Sequence, residues 1–387
     1  MGRNVVNFPS RIAFRGFSPS KLKDARCARL LNQTELATAV EVSRQAISAF
    51  ESGEKSPDPA TAGRIADALA QPLSYFATDE LPTFGETGTR FHRAYGAETK
   101  RRNSACDVMG KWFVQAARYF FERVSFPQVR VPSAAPINGD IYEDDEIEDI
   151  AMECRRAWGL GVGPISNVVG LLETNGIAIC RYEMTGEKIE AFSFWNGDRP
   201  FIILSSDKSS AVRSRFDAAH ELGHIVLHRW VGQEELEDPK VLKRVEAEAN
   251  RFAGAFLLPA KSFPVEVYSP RLDAFVELKR RWKVAIQAMV YRCKDLGVFD
   301  EAQITNLYKQ ISFRKWRTKE PLDDTLALER PSLLKRAVEL LVSSGKSAAD
   351  EIVSDLRLSA SVIAAFCAVP VEFFLPATRP EFNPVLK

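Results

Sequence analysis

Apolar and polar positions divide the chain into parts of different secondary structure. From Pro19 to Phe76 the spacing predicts short helices joined by polar turns, and residues 98–124 keep the spacing of one long amphipathic helix. Residues 177–204 contain short runs in which apolar and polar positions alternate, as in β-strands, with a hairpin turn at 196–198 (Asn-Gly-Asp). Helical spacing resumes near Ser210. The pattern predicts a mainly α-helical protein with a small β-sheet and no internal repeat of fixed period.

The same pattern predicts four segments. Residues 18–78 form a helical module, and residues 79–135 contain a proline- and glycine-bearing linker followed by the amphipathic helix. Residues 145–300 form an α+β domain, in which a helix is predicted over residues 150–158 after an acidic stretch, and residues 301–387 form a helical extension. A length of 387 residues agrees with this division, since domains average about 150 residues.

The composition indicates a globular protein that does not bind membranes. Hydrophobic residues make up 45% and charged residues 27% of the chain, and the net charge is +1. Residues 1–133 contain 19 basic and 13 acidic side chains, so a nucleic-acid partner is expected to bind this part of the chain. The longest apolar run, Val362–Val371, is about half the ~20 residues of a membrane helix. Six cysteines without a Cys-x-x-Cys pair predict core residues of a cytoplasmic protein.

Residues 31–53 carry the pattern of two short helices joined by a turn. Ser43 stands at the N-cap position of the second helix, where a hydroxyl can accept from the backbone N–H groups of the first turn. Arg44 and Gln45 follow at its exposed start. In the major groove, arginine can bond a guanine and glutamine an adenine. These residues therefore predict a helix that reads base edges.

Residues 20–77 resemble the XRE family, the helix-turn-helix proteins of the lambda repressor and Cro type. The resemblance implies that Gln33 and Lys55 contact phosphates and that the partner is double-stranded operator DNA, bound by a homodimer. The alternative is a helical module that binds a protein or dimerises. A group of basic residues after the linker either adds phosphate contacts or forms a solvated helix face: Arg90, Arg93, Lys100, Arg101, Arg102 and Lys111.

The strongest chemical signal is the sequence His-Glu-Leu-Gly-His at residues 220–224. His220 and His224 are four residues apart on a predicted helix, so their imidazoles share a face and can bind one zinc ion. Glu221 stands beside them, where a carboxylate can take a proton from water. The competing interpretation is a buried structural histidine pair. His228, one turn further on, is predicted to support the site through hydrogen bonding or at the helix end rather than to bind the metal.

A third ligand is expected from the helix predicted over residues 245–259. Glu248 shares its stripe with Phe252 and Phe256, whereas Glu246 stands off that stripe. We therefore predict Glu248 as the ligand, with Glu246 as the alternative. An ordinary solvated acidic helix face is disfavoured by the alanines and apolar residues around the pair.

The motif, followed by Glu-x-Glu-Ala-Asn-x-Phe-Ala and Leu-Leu-Pro, resembles the ImmA/IrrE family of zinc metallopeptidases over about residues 145–300. The resemblance implies a gluzincin-like site with one zinc ion per chain on His220, His224 and Glu248, and with Glu221 as the catalytic residue. It also implies a protein substrate, a repressor or an antitoxin-like partner. The alternative is a non-catalytic XRE-family transcription factor or antitoxin that uses the zinc domain for structure or ligand sensing.

Three further expectations concern the surroundings of the site. The substrate is expected to pair, as an added strand, with the strand over Phe201–Leu204. Tyr268 and Tyr291 are candidates for a hydrogen-bond donor to the reacting carbonyl. Residues 348–366 resemble a helix-turn-helix only weakly and carry no basic residue at the expected reading positions, so they are interpreted as structural or interaction surface.

Overall fold

The computed structural model describes residues 16–77, 91, 97–137, 141–183, 190–206 and 210–375. Within these ranges it has seventeen α-helices and one three-stranded sheet. The predicted fold class, mainly α-helical with a small sheet and an N-terminal helix-turn-helix domain, is confirmed. Among the described helices, none combines the length and the apolar character needed to cross a bilayer.

The N-terminal domain consists of five short helices, four of which begin at a side-chain hydrogen-bonded N-cap. They are α1 (Pro19–Ala28), α2 (Gln33–Ala39), α3 (Arg44–Ser52), α4 (Pro59–Leu69) and α5 (Leu73–Phe76). Asn32 and Glu35 form a reciprocal capping box at the start of α2, and the Ser43 hydroxyl accepts from the Ala46 N–H at the start of α3. Leu36 and Ile47 are fully buried between these helices. The caps and the apolar positions together hold α3 across α2.

The long helix α6 (Ala97–Phe121) joins this domain to the sheet. It packs along α1, and the Trp112 Nε1–H donates to the Tyr75 hydroxyl over 3.2 Å. Lys111 pairs with Asp24 and Arg101 with Glu35, so two of the basic residues considered for phosphate contacts bind acidic residues of the N-terminal domain. Arg90 and Arg93 lie outside the described residues.

The sheet has the strand order β1 (Ala178–Tyr182), β3 (Arg199–Ser205), β2 (Ala191–Asn196). β3 pairs in parallel with β1 and antiparallel with β2 across the predicted turn, in which Gly197 has a φ of 62°. β3 is therefore the central strand, with both edges occupied. The expectation that a substrate pairs with Phe201–Leu204 is wrong, because β1, the strand that precedes β2 in the chain, takes that edge.

The two faces of the sheet belong to different cores. Ile179, Ile202 and Leu204 face the helices of the α+β domain. Phe192 and Phe201 point to the opposite face, where α6, the N-terminal domain and the C-terminal helices form one continuous core. Strand pleating separates the faces, since successive side chains point to opposite sides. The sheet is thus shared between the two halves of the molecule.

The helices of the α+β domain surround its face of the sheet. They are α7 (Asp144–Ala157), α8 (Val168–Thr174), α9 (Ala211–Leu227), α10 (Pro239–Leu257), α11 (Phe263–Glu266), α12 (Leu272–Trp282), α13 (Ile286–Asp295) and α14 (Glu301–Phe313). α7 starts six residues before the predicted position, because Glu143 and Glu146 form a capping box and acidic residues favour a helix N-terminus. α9 and α10 lie in direct contact: a Cβ at Gly223 would be 3.1 Å from the Ala249 Cα.

The C-terminal helices α15 (Leu333–Ser343), α16 (Ala349–Leu356) and α17 (Ala360–Cys367) repeat a feature of the N-terminal domain. The turn from α16 to α17 has Arg357 at φ 51°, followed two residues later by Ser359 at the N-cap. The turn from α2 to α3 has Glu41 at φ 57°, again two residues before the N-cap Ser43. The weak sequence resemblance thus corresponds to a shared turn conformation between two short helices. The second helix of the C-terminal pair, α17, packs against β1 rather than standing exposed.

Candidate metal centre and DNA-reading helix

The buried face of α9 brings together the three residues of the predicted zinc motif. His220, Glu221 and His224 are each at most 5% exposed. The Nε2 atoms of His220 and His224 lie 2.9 Å apart, so one turn of helix aims both imidazoles at a common point. This arrangement follows from their four-residue spacing and agrees with the sequence prediction.

Hydrogen bonds on the far side of His224 set its tautomer. His224 Nδ1 lies 3.0 Å from His228 Nδ1, and His228 Nε2 lies 2.8 Å from a carboxylate oxygen of Glu248. Burial lowers the pKa of His228 to about 4, although the Glu248 hydrogen bond raises it, so His228 is neutral at pH 7. Its single N–H donates to Glu248, because the carboxylate can only accept. His224 must then donate from Nδ1, and its Nε2 presents a lone pair.

The same logic applies to His220. Its Nδ1 lies 3.1 Å from the side-chain oxygen of Asn250, which accepts, so the proton is on Nδ1 and Nε2 again presents a lone pair. Two imidazole lone pairs directed at each other across 2.9 Å repel unless a cation lies between them. The donor set of neutral imidazoles with outer hydrogen bonds fits a zinc ion.

The carboxylate that α10 brings to this pair is Glu246. Its oxygens lie 3.4 Å from His224 Nε2 and 3.6 Å from His220 Nε2, and the three side chains form a cluster with metal-ligand spacing. Glu248, the residue predicted from the sequence, instead bonds His228. The apolar stripe of α10 faces the domain core, while Glu246 and Asn250, four residues apart, form the face toward His220. The four-residue spacing of Glu246 and Asn250 is the signal in the sequence for the face of α10 that lies toward His220.

Glu221 is held by a residue that the sequence analysis did not identify. The Ser193 hydroxyl donates to a carboxylate oxygen of Glu221 over 2.6 Å, and Ser193 is fully buried. Ser193 lies on β2 with its side chain toward α9. The edge strand of the sheet therefore positions the predicted proton acceptor next to the histidine pair.

The two tyrosines proposed as carbonyl donors lie on the surface: Tyr268 is 76% and Tyr291 58% exposed. Tyr142 lies closer to the site, with its hydroxyl 2.7 Å from the Leu227 carbonyl oxygen at the end of α9. Its phenol supports the helix end next to His228. The candidates Tyr268 and Tyr291 are thus not gathered with the buried histidines.

The N-terminal domain presents the predicted reading positions to solvent. Arg44 and Gln45 are exposed at the start of α3, and Lys55 is exposed in the following loop. Gln33 is only partly accessible, since its amide donates to Glu51 over 2.9 Å. The DNA contacts of these four residues and Ser43 remain predictions.

Comparisons with known families agree with this architecture. A helix-turn-helix family model matches residues 22–76, and the model of the IrrE N-terminal-like domain matches residues 172–294. A search of the curated proteins finds no match. The chain therefore combines an XRE-type helix-turn-helix domain with an ImmA/IrrE-type peptidase domain, in that order. This combination of domains is that of a DNA-binding regulator that also carries a protease-like domain.

Proposed function

We propose that this protein is a transcriptional regulator whose IrrE-like domain is a zinc-dependent endopeptidase that cleaves a partner repressor or antitoxin-like protein. The proposal depends mainly on one observation, the facing Nε2 atoms of His220 and His224 with Glu246 beside them. We assign these three residues as ligands of one zinc ion. Glu248 and His228 then support His224 from outside, and Asn250 supports His220.

Glu221 is the proposed catalytic residue. When bound, the zinc ion supplies a Lewis acid that lowers the pKa of water and polarises the scissile carbonyl. The Ser193 hydroxyl holds the Glu221 carboxylate in place, and this carboxylate takes the proton of the attacking water and later passes it to the leaving amine. The Ser193 hydroxyl is a positioning group in this scheme, since its role is to hold the Glu221 carboxylate.

The DNA-binding part of the proposal depends on the exposed start of α3. A homodimer would place two α3 helices in successive major grooves, with Arg44 and Gln45 on base edges and Gln33 and Lys55 near phosphates. Selection from a randomised duplex pool tests this. The expected result is enrichment of a palindrome, and enrichment of no sequence would contradict it.

The peptidase is tested by metal content and by cleavage. Zinc-loaded full-length protein is incubated with a cell extract from its own organism, and new protein N termini are labelled and identified. We expect specific new termini with the wild type and none with Glu221→Gln, which should retain its zinc. A wild type that holds zinc but produces no new terminus would contradict the peptidase proposal and support the non-catalytic alternative.

A further inference from the structure

Phe91, which lies between the N-terminal domain and α6, reaches the candidate metal centre. Its ring stacks on the His224 imidazole, with the ring centroids 4.4 Å apart and the planes at 6°. Its centroid is also 5.7 Å from that of His228. The side chain is only 4% exposed. A residue remote from α9 in sequence therefore covers the imidazole of a proposed metal ligand.

The backbone of Phe91 pairs with the edge strand of the sheet. Its N–H donates to the Ser193 carbonyl over 3.4 Å in an antiparallel bridge. In the antiparallel ladder of β2 with β3, Trp195 lies opposite Pro200, which has no N–H to donate. The pair of Trp195 with Pro200 is therefore a non-hydrogen-bonded pair. Ser193 lies two residues from Trp195 and so also belongs to a non-hydrogen-bonded pair, which means that its carbonyl points away from β3 toward the outer edge. Phe91 thus uses this edge as an added strand would.

The pocket around the Phe91 ring is apolar. Besides His224, branched aliphatic side chains form this pocket. They come from the 3-10 helix at Glu235–Glu237, from the segment just before that helix and from the first half of α10: Val231, Leu236, Val241, Leu242 and Val245. Val245 adjoins Glu246, the proposed third ligand. An imidazole face and aliphatic walls suit a flat aromatic or large apolar side chain.

The same edge position adjoins the proposed catalytic carboxylate. The carbonyl of Ser193 accepts from Phe91, while its hydroxyl donates to Glu221. An extended peptide paired with β2 at Ser193 would therefore run directly past Glu221 and His224. Its side chain at this position would enter the pocket that the Phe91 ring occupies.

We propose that Phe91 occupies the place of a substrate side chain, so that the linker of this chain competes with the substrate for the edge of β2. This inference rests on the peptidase function proposed above. The substrate is then an extended segment with an aromatic or large apolar side chain at this position, and it binds by displacing Phe91. Because the linker is tethered, it competes at an effective concentration in the millimolar range.

A peptide-binding experiment tests the inference without requiring cleavage. The probe is a fluorescein-labelled synthetic peptide of residues 86–96 (Glu-Thr-Gly-Thr-Arg-Phe-His-Arg-Ala-Tyr-Gly), and its control has alanine in place of the phenylalanine. Both are titrated by fluorescence anisotropy against zinc-loaded full-length Glu221→Gln protein, with and without Phe91→Ala. Phe84→Ala serves as the matched linker control, and Phe91→Leu keeps an apolar side chain.

We expect the phenylalanine peptide to bind the Phe91→Ala protein at least about tenfold more tightly than the parent or the Phe84→Ala protein, with Phe91→Leu in between. The alanine peptide should bind none of them with comparable affinity. Equal binding of the phenylalanine peptide to the parent and to Phe91→Ala, or equal binding of the two peptides, would overturn the inference.

Cleavage then separates this inference from the function on which it rests. With Glu221 intact, Phe91→Ala is expected to raise the rate at which the substrate is cut. Selective peptide binding without cleavage by any variant would contradict the peptidase function but leave the peptide site standing. If the protein cleaves its substrate but Phe91→Ala does not accelerate the cleavage, the proposed competition by Phe91 is contradicted while the peptidase function stands.

Discussion

The Nδ1 atom of His224 lies 3.0 Å from the Nδ1 atom of His228, which in turn bonds Glu248. This series of hydrogen bonds keeps the His224 proton on Nδ1, away from the Nε2 atom that faces His220. We predict that His228→Ala lowers the zinc affinity about 10- to 100-fold, the usual effect of losing an outer partner of a metal ligand. Competition titration with a zinc chelator measures this affinity. An unchanged affinity would show that the His224 tautomer does not depend on His228.

The two glutamates of α10 are predicted to differ in their effect on zinc binding. Glu246→Gln removes the carboxylate beside both Nε2 atoms, so the purified protein should lose most of its zinc. Glu248→Gln removes only an outer hydrogen bond and should retain zinc with reduced affinity. Elemental analysis of both variants, with the exposed Glu237→Gln as control, checks the assignment. A reversed order would restore Glu248 as the ligand.

Close contact between α9 and α10 predicts a stability effect at Gly223. The added Cβ of Gly223→Ala would lie 3.1 Å from the Ala249 Cα and 3.2 Å from the Phe252 ring, both in packed elements. We expect a loss of about 1–3 kcal/mol in the free energy of unfolding, as for overpacking, measured by urea denaturation. Gly254→Ala is the control, because its Cβ would meet only Arg292 at 3.8 Å. Equal effects of the two variants would contradict this account.

Arg44 is predicted to contribute to sequence reading and Lys55 to general DNA affinity. Arg44→Ala should weaken binding to the selected operator by about 1–3 kcal/mol and relax specificity at one base pair. Lys55→Ala should weaken binding to all duplexes alike and reduce the salt dependence by about one released counterion. Salt titrations of operator and random duplexes separate the two effects. The same loss on both duplexes for Arg44→Ala would exclude base reading by this residue.

A buried charge cluster predicts a pH dependence of stability. Lys279 Nζ lies 2.7 Å from Asp323 and 2.8 Å from Glu320. Burial raises the pKa of Asp323, but hydrogen bonds from Lys279, Glu320 and Ser210 outweigh it, so the pKa lies below the ordinary value of 3.8. A carboxyl group whose pKa is lowered by folding stabilises the folded protein at pH values above its ordinary pKa. This stabilisation is lost as the pH falls through the pKa of the folded state.

The measurement for this prediction compares wild type and Asp323→Asn by urea unfolding. The wild type should lose stability more steeply than the variant as the pH falls below about 4. Parallel curves for the two proteins would show that Asp323 does not contribute to the pH dependence.

The local features of the sites were predictable from the sequence. The spacing of His220 and His224 on one helix, the cap at Ser43 and the hairpin turn at Gly197 each depend on residues a few positions apart. Within such a span the backbone hydrogen-bond repeat determines which side chains meet. The family resemblance added the order of the two domains, which the family matches confirm.

Relations between distant elements were decided only by the tertiary structure. Whether Glu246 or Glu248 faces the imidazoles depends on how α10 is rotated against α9, and that rotation results from the packing of both helices against the whole domain core. The central position of β3 depends on β1, and the contact of Phe91 with His224 depends on the pairing of Phe91 with Ser193 at the edge of β2. These arrangements result from many weak packing interactions across the whole fold, so they cannot be predicted from any short stretch of sequence.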